Sequence, residues 1–210
     1  MKKFVLSGVL SLTTFLFAGT VTATPMTAFS YTSSPIAWVG AGQTVTVTPL
    51  EGFDFSISNS QSGVSFFIND FSNNPDFWST RWWSLDFAAP AGQPLQVGHY
   101  SDATRFPFNA STEPGLSFTG NGRGDNQLTG FFDILDLTFA SDGSVQSFAA
   151  NFTQYDEGFT ESWNEGMIRY NSEIPLAADV PEPASLILVS TALLALVATK
   201  GKRRTQTLAV

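Results

Sequence analysis

The sequence predicts an all-β body, a two-sheet antiparallel β-sandwich, flanked by an N-terminal signal helix and a C-terminal transmembrane helix. Three observations predict it. Apolar and polar residues alternate at period two through most of the middle of the chain. Clusters of Gly, Pro, Asn and Asp interrupt these runs at short intervals. Long apolar stretches with basic flanks occur only at the two ends.

The strands follow in order. Thr44-Val45-Thr46-Val47-Thr48 alternates strictly, as do residues 53–58 and the later part of 134–139. Further strands are expected over 64–69, 82–88, 95–100, 116–119, 127–132, 145–155 and 166–170. Turn chemistry separates them at Asn73-Asn74-Pro75-Asp76, Ala89-Pro90-Ala91-Gly92, Gly120-Asn121-Gly122-Arg123-Gly124 and Ser141-Asp142-Gly143-Ser144. Asp142-Gly143 between two alternating runs signals a hairpin. About ten short strands without helical periodicity are what a sandwich requires.

Charge and cysteine content narrow the function classes. Between Lys3 and Lys200 four arginines stand against 18 acidic residues, a net charge of −14 with no lysine. Such a body is repelled by phosphate backbones, which excludes nucleic acid as a partner, and by anionic lipid surfaces. The body from residue 24 onward holds 17 of the 20 Phe and all five Trp, enough apolar area to fold rather than stay disordered. The absence of cysteine leaves no disulfide, no thiolate nucleophile and no Cys-ligated zinc.

Each end carries an address. Lys2 and Lys3 precede an apolar run over 4–17 and then Ala18-Gly19-Thr20-Val21-Thr22-Ala23. This is the pattern of a secretory signal, with signal peptidase cutting after Ala23. At the other end, Val180-Pro181-Glu182-Pro183-Ala184-Ser185 leads into an apolar run ending at Thr199, followed by Lys200-Gly201-Lys202-Arg203-Arg204. Basic residues after a span remain cytoplasmic, which puts the body outside. At 184–199 the run is shorter than the ~20 residues of a relaxed span, so Lys200 and Lys202 must snorkel or the bilayer thin.

This C-terminal arrangement resembles the PEP-CTERM sorting signal, in which a Pro-Glu-Pro element is read by a membrane-embedded exosortase. The resemblance implies that Val180, Pro181, Glu182 and Pro183 are the processing site. It also implies that the body is anchored through the C-terminal helix until it is released or transferred to the cell surface or an exopolysaccharide matrix. The chain then divides into a signal peptide (1–23), a body (24–173), a linker (174–179), the sorting signal (180–204) and a polar tail (205–210).

Trp83-Ser84-Leu85-Asp86-Phe87, Leu95-Gln96-Val97-Gly98-His99-Tyr100, Arg105-Phe106-Pro107-Phe108, Pro114-Gly115-Leu116, Gly122-Arg123-Gly124-Asp125-Asn126, Phe152-Thr153-Gln154-Tyr155-Asp156-Glu157-Gly158 and Ile168-Arg169-Tyr170-Asn171-Ser172 occur in this order. Together they resemble a secreted bacterial β-sandwich domain of unassigned activity. Its typical members carry Cys where this chain has Asp125 and Asp156. The resemblance implies that these two carboxylates lie close together. Then one is protonated, or Arg123 or Arg169 lies between them, or Ca²⁺ bridges them; an arginine or simple solvation is the favoured expectation.

Signs of catalysis are few. His99 is the only histidine, and no Gly-x-Ser-x-Gly elbow accompanies it, so it reads as a surface or packing residue. One imidazole cannot build a His-ligated metal site, and neither metal nor another cofactor is expected. Asp133 and Asp136 are three apart and would face opposite sides of a regular strand, unlike a glycosidase pair. Arg123-Gly124-Asp125 matches a three-residue adhesion motif too short to carry weight. The suggestive cluster is Phe77-Trp78-Ser79-Thr80-Arg81-Trp82-Trp83. In an extended segment Trp82 and Trp83 face opposite sides, which would leave one exposed to stack on a sugar ring, with Arg81 and Trp78 beside it. The expected function is that of an exported surface or matrix protein without enzymatic activity. A carbohydrate-binding module using Trp78, Arg81 and Trp82 is the alternative, and a glycoside hydrolase a more remote one.

Overall fold

Alternation at period two becomes ten strands wherever the inward residue is aromatic or branched. The computed structural model describes residues 24–176. The cleavage site at Ala23, the two terminal helices, the end of the linker and the element Val180–Pro183 lie outside the described residues. No helix among the described residues is long and apolar enough to cross a membrane.

The strands are β1 (Met26–Ser33), β2 (Thr44–Val47), β3 (Asp54–Asn59), β4 (Gly63–Asn69), β5 (Trp82–Ala88), β6 (Gly98–Arg105), β7 (Gly115–Gly120), β8 (Leu128–Phe139), β9 (Val145–Asp156) and β10 (Trp163–Ser172). Two short 3-10 turns, Pro49–Glu51 and Phe77–Ser79, complete the regular structure. The body is all-β. The β8–β9 hairpin turns at Asp142-Gly143, where Gly143 has φ 84° and donates its N–H to Ala140. Trp83 is buried and Trp82 half-buried, as alternate faces of β5 require.

The hydrogen bonding corrects the expectation of two separate antiparallel sheets. All ten strands form one sheet in the order β2-β1-β10-β9-β8-β6-β7-β5-β4-β3. It is mixed, because β6 and β7 run parallel through Thr104–Gly115 and Arg105–Leu116. The sheet is also strongly curled. Phe29 on β1 and Trp83 on β5 are six strand spacings apart, about 29 Å on a flat sheet, yet their rings are 5.7 Å apart. Phe66 on β4 and Phe148 on β9 likewise meet at 5.1 Å. The edge strands β2 and β3 are consecutive in the chain, joined only by residues 48–53. Such a short link can join opposite edges only if the sheet bends round on itself.

The concave side holds one aromatic core. Trp83 touches Phe29, Tyr31 and Phe53, while Phe87 touches Phe132, Phe148 and Phe152. Gly166 on β10 makes room for this packing, since a Cβ there would overlap the Phe152 ring.

Three strand expectations shift. β1 was not foreseen. The runs 127–132 and 134–139 are one strand, β8, interrupted by a bulge between Ile134 and Asp136. The strand expected over 95–100 begins at Gly98 and continues to Arg105. The β8 bulge moves the alternation by one residue. Ile134 and Leu137 both pack inward, so Asp133 and Asp136 share the outer face rather than opposite ones.

Trp83→Ala removes the residue that joins the two halves of the sheet and should cost about 3–5 kcal/mol, read as a fall in the urea midpoint. A loss below about 1 kcal/mol would mean that the halves do not depend on this contact.

Candidate functional site

Two places concentrate polar or aromatic side chains in arrangements that simple packing does not require. The first is the outer face of β4 and β5. In β4 the sequence Phe66-Phe67 puts one phenylalanine inward and forces the next outward, where Phe67 is 37% exposed. Trp82 emerges on the same face of β5, its ring 6.0 Å from Phe67. Phe71 packs edge-on against Phe67, also at 6.0 Å. Trp78 lies in the 3-10 turn Phe77–Ser79 with 91% of its surface exposed. Its N–H donates to the Asp76 carboxylate at 3.1 Å. Arg81 lies over the Phe53 ring at 4.7 Å and donates to Asp70 at 3.3 Å. Its charge is therefore already partnered, over a ring of the core and not within the outer patch. Phe67 and Phe71 were missed in the sequence, although two adjacent phenylalanines in an alternating strand were a legible signal.

The second place is a buried polar network at one end of the sheet. Asp156, at the end of β9, accepts four hydrogen bonds. Its Oδ2 receives the N–H groups of Trp38 (2.5 Å) and Val39 (3.2 Å) and the Ser162 hydroxyl (3.3 Å). Its Oδ1 receives the Asn164 amide at 2.6 Å. Asp125 is 5% exposed and its Oδ2 accepts the Gln154 amide at 2.9 Å. The Asp125 Oδ1 is buried and receives no hydrogen bond from a donor group. Burial first, and then the charge of Asp156 and a hydrogen bond between the two carboxyl groups, push Asp125 up to about 8. A proton on Asp125, donated to Asp156, satisfies the otherwise unpartnered oxygen and leaves one negative charge for Asp156's four donors.

No arginine lies between the two carboxyls, and solvent does not separate them. Arg123 stacks over the Trp38 ring at 5.3 Å. Arg169 is buried elsewhere and donates to the carbonyls of Ala150, Ile168, Ile174 and Pro175 and to Asn151. Burial lowers its pKa to about 10. Among the described residues no group of three His, Cys, Asp or Glu side chains is placed to hold a metal ion. Asp125 is also too buried for the Arg123-Gly124-Asp125 triplet to present its carboxylate outward.

Comparison with known proteins finds no family model, no curated protein and no solved structure that matches the chain.

His99, Asp133 and Asp136, singled out in the sequence, are tied into the sheet. His99 and Asp133 pair across β6 and β8 at 2.7 Å. Asp136 accepts the hydroxyls of Ser147 and Ser172 at 3.0 and 2.8 Å. Trp38, 57% exposed, was not singled out in the sequence. Its backbone is fixed by Asp156 from a distant strand, which no local pattern announces.

The carboxyl pair gives a pH dependence with a definite sign. Between pH about 4 and about 8 folded Asp125 keeps a proton that the unfolded chain has released. Its contribution is full below pH about 4 and is lost as pH rises to about 8, at up to about 1.4 kcal/mol per pH unit. Asp125→Asn keeps the shape and stays neutral. Its stability relative to the parent should rise steadily from pH 5 to pH 8.5 in urea titrations. A constant difference across that range would show that Asp125 does not carry the proton.

Proposed function

We propose that the chain is an exported cell-surface or matrix protein without enzymatic activity, sorted by an exosortase and acting through a glycan-binding face on its β-body. The export half rests on the two ends of the sequence. Lys2-Lys3, an apolar run and Ala23 make a signal-peptidase substrate. Val180-Pro181-Glu182-Pro183, an apolar run and Lys200–Arg204 make a stop-transfer segment with a recognition element on its outer side. The body is then membrane-anchored until processing and is found at the surface or in an exopolysaccharide matrix afterwards. The resemblance to a secreted bacterial β-sandwich domain belongs to the same reading, the two halves of the curled sheet corresponding to its two layers.

The binding half rests on one observation: Phe67, Phe71 and Trp82 form an aromatic patch on the outer side of a sheet whose inner side is already packed with aromatics, and Trp78 is exposed in the turn that precedes β5. Aromatic faces stack on the apolar faces of sugar rings. The non-enzymatic reading rests on how the carboxylates are used. Asp70, Asp136 and Asp156 accept structural hydrogen bonds, and the Asp125–Asp156 pair is buried away from substrate.

Glu182→Ala should leave the uncut chain in the membrane fraction of cells that contain an exosortase, while the parent chain appears as a smaller mature form. An unchanged mature mass in the variant would overturn the sorting assignment. Trp82→Ala should abolish glycan binding without altering that mass, so the two halves fail independently.

A further inference from the structure

The patch is one end of a longer outer face that the strand register lays out in three rows. Asp54, Asn69 and Trp82 stand opposite one another on β3, β4 and β5. The next row is Ser56, Phe67, Ser84 and Thr119, and the one after it Ser58, Ser65, Asp86 and Ser117. The intervening residues Phe66, Ile68, Trp83, Leu85 and Phe118 are core, so the rows lie on the opposite side of the sheet, with Ser117 at the β7 end itself buried. At about 3.4 Å per residue, the Ser65 row is some 7 Å from the Phe67 row and some 14 Å from the Trp82 row along β4.

The far row is built for hydroxyl chemistry. Ser65 donates to Asp86 at 2.6 Å. Burial raises the pKa of Asp86, and the bond from Ser65 opposes that rise. Beside this pair opens a hollow of about 260 Å³ lined by Ser58, Asn59, Ser60, Ser62, Ser65 and Phe106. That is below the ~300–1,000 Å³ of pockets that enclose a whole drug-sized ligand, and suits one ring of a longer chain. Hydroxyls, an amide and a carboxylate at one end, with stacking rings at the other, are complementary to a polyhydroxylated ring polymer.

Charge decides which polymer. The outward rows carry Asp54 and Asp86 and no cation, and Arg81, which lies over the core ring of Phe53, is already paired with the buried Asp70 at 3.3 Å. Residues 24–176 contain no lysine. A uronate, sulfated or phosphorylated glycan would meet net repulsion with no free cation on this face to offset it.

The geometry points to a binding site for a neutral glycan running from the serine hollow to the aromatic patch across the outer face of β3, β4, β5 and β7. In it Ser65 Oγ, whose proton goes to Asp86, and the Asp86 carboxylate accept hydrogen bonds from ring hydroxyls, while Phe67 and Trp82 stack. This inference rests on the glycan-binding reading and goes further by naming the ligand's charge class and the second half of its site.

The test is affinity electrophoresis of the full chain in detergent, through native gels cast with neutral β-glucan, mannan, galactan or xylan, and separately with alginate as the anionic probe. Retardation by at least one neutral polymer and not by alginate is the expected result. Trp82→Ala should abolish it. Ser65→Ala and Asp86→Asn should each weaken it by about tenfold, with near-UV circular dichroism showing that each variant keeps its packing. Retardation by alginate alone overturns the charge argument but leaves the aromatic reading standing. Neutral binding that survives Ser65→Ala and Asp86→Asn confines the site to the aromatic end and overturns the extended groove. Retardation by none of the polymers overturns both. So does a dimer, seen by sedimentation, that Phe67→Ser dissociates, because the patch would then belong to a second copy.

Discussion

The contact on which the rest of the structure depends is the meeting of Trp83 with Phe29, Tyr31 and Phe53. It joins β1 and β5, six strand spacings apart in a ten-stranded sheet, and so holds the sheet in its curl. A flat sheet of this length would leave its inner face in water, with Phe66, Phe87, Phe118, Phe132, Phe148 and Phe152 unburied. Full burial of side chains of this kind contributes about 1.5–3 kcal/mol each. With no cysteine to staple the chain, this burial is the principal source of stability. The curl also brings the consecutive edge strands β2 and β3 within reach of a six-residue link, residues 48–53.

An acidic chain that folds round an apolar core must keep its charges outside or neutralise the ones it buries. Most of the acids stay at the surface, where like charges repel but water screens them. Among the described residues three do not: Asp70 is met by the Arg81 guanidinium at 3.3 Å, whereas for Asp125 and Asp156 the solution is a shared proton rather than a counter-cation. Two bare carboxylates at hydrogen-bond distance in a dry site would be strongly unfavourable. One proton leaves a single charge, which the backbone N–H groups of Trp38 and Val39, the Ser162 hydroxyl and the Asn164 amide surround. The network draws the 34–42 loop, the turn after β7 and the start of β10 into one end of the sheet. The loop carrying the exposed Trp38 is held from beneath.

What the sequence revealed and what it hid follow the range of the interactions involved. The period-two pattern located most of β2 to β10 because alternation is a local consequence of one buried face. β1 was hidden because Ala28 and Phe29 are both buried beside a register shift, which breaks the alternation. The bulge in β8 and the parallel pairing of β6 with β7 are also non-local, set by partners far along the chain. The opposite facing of Trp82 and Trp83 was legible, whereas the outward Phe67 was legible and overlooked. The proton shared by Asp125 and Asp156 could not be read from spacing, because it depends on burial and on donors supplied from the 34–42 loop and β10.

The outer aromatics differ in how firmly they are held, and that difference bears on what they can contribute. Trp82 lies in β5, paired on one side with β4 and on the other with β7 through its neighbours. Its N–H is taken by Asn121 at 2.9 Å. The adjacent Trp83 is locked in the core, so β5 cannot rotate to withdraw Trp82 without dismantling the seam that curls the sheet. Phe67 is fixed in the same way between the buried Phe66 and Ile68. Such rings bind with little further loss of conformational freedom, because folding has already ordered them. Trp78 sits on a turn held by short-range bonds within residues 74–79, with its indole almost wholly in water. Affinity on this face should therefore come chiefly from Phe67 and Trp82, whose positions are a direct consequence of the residues buried behind them.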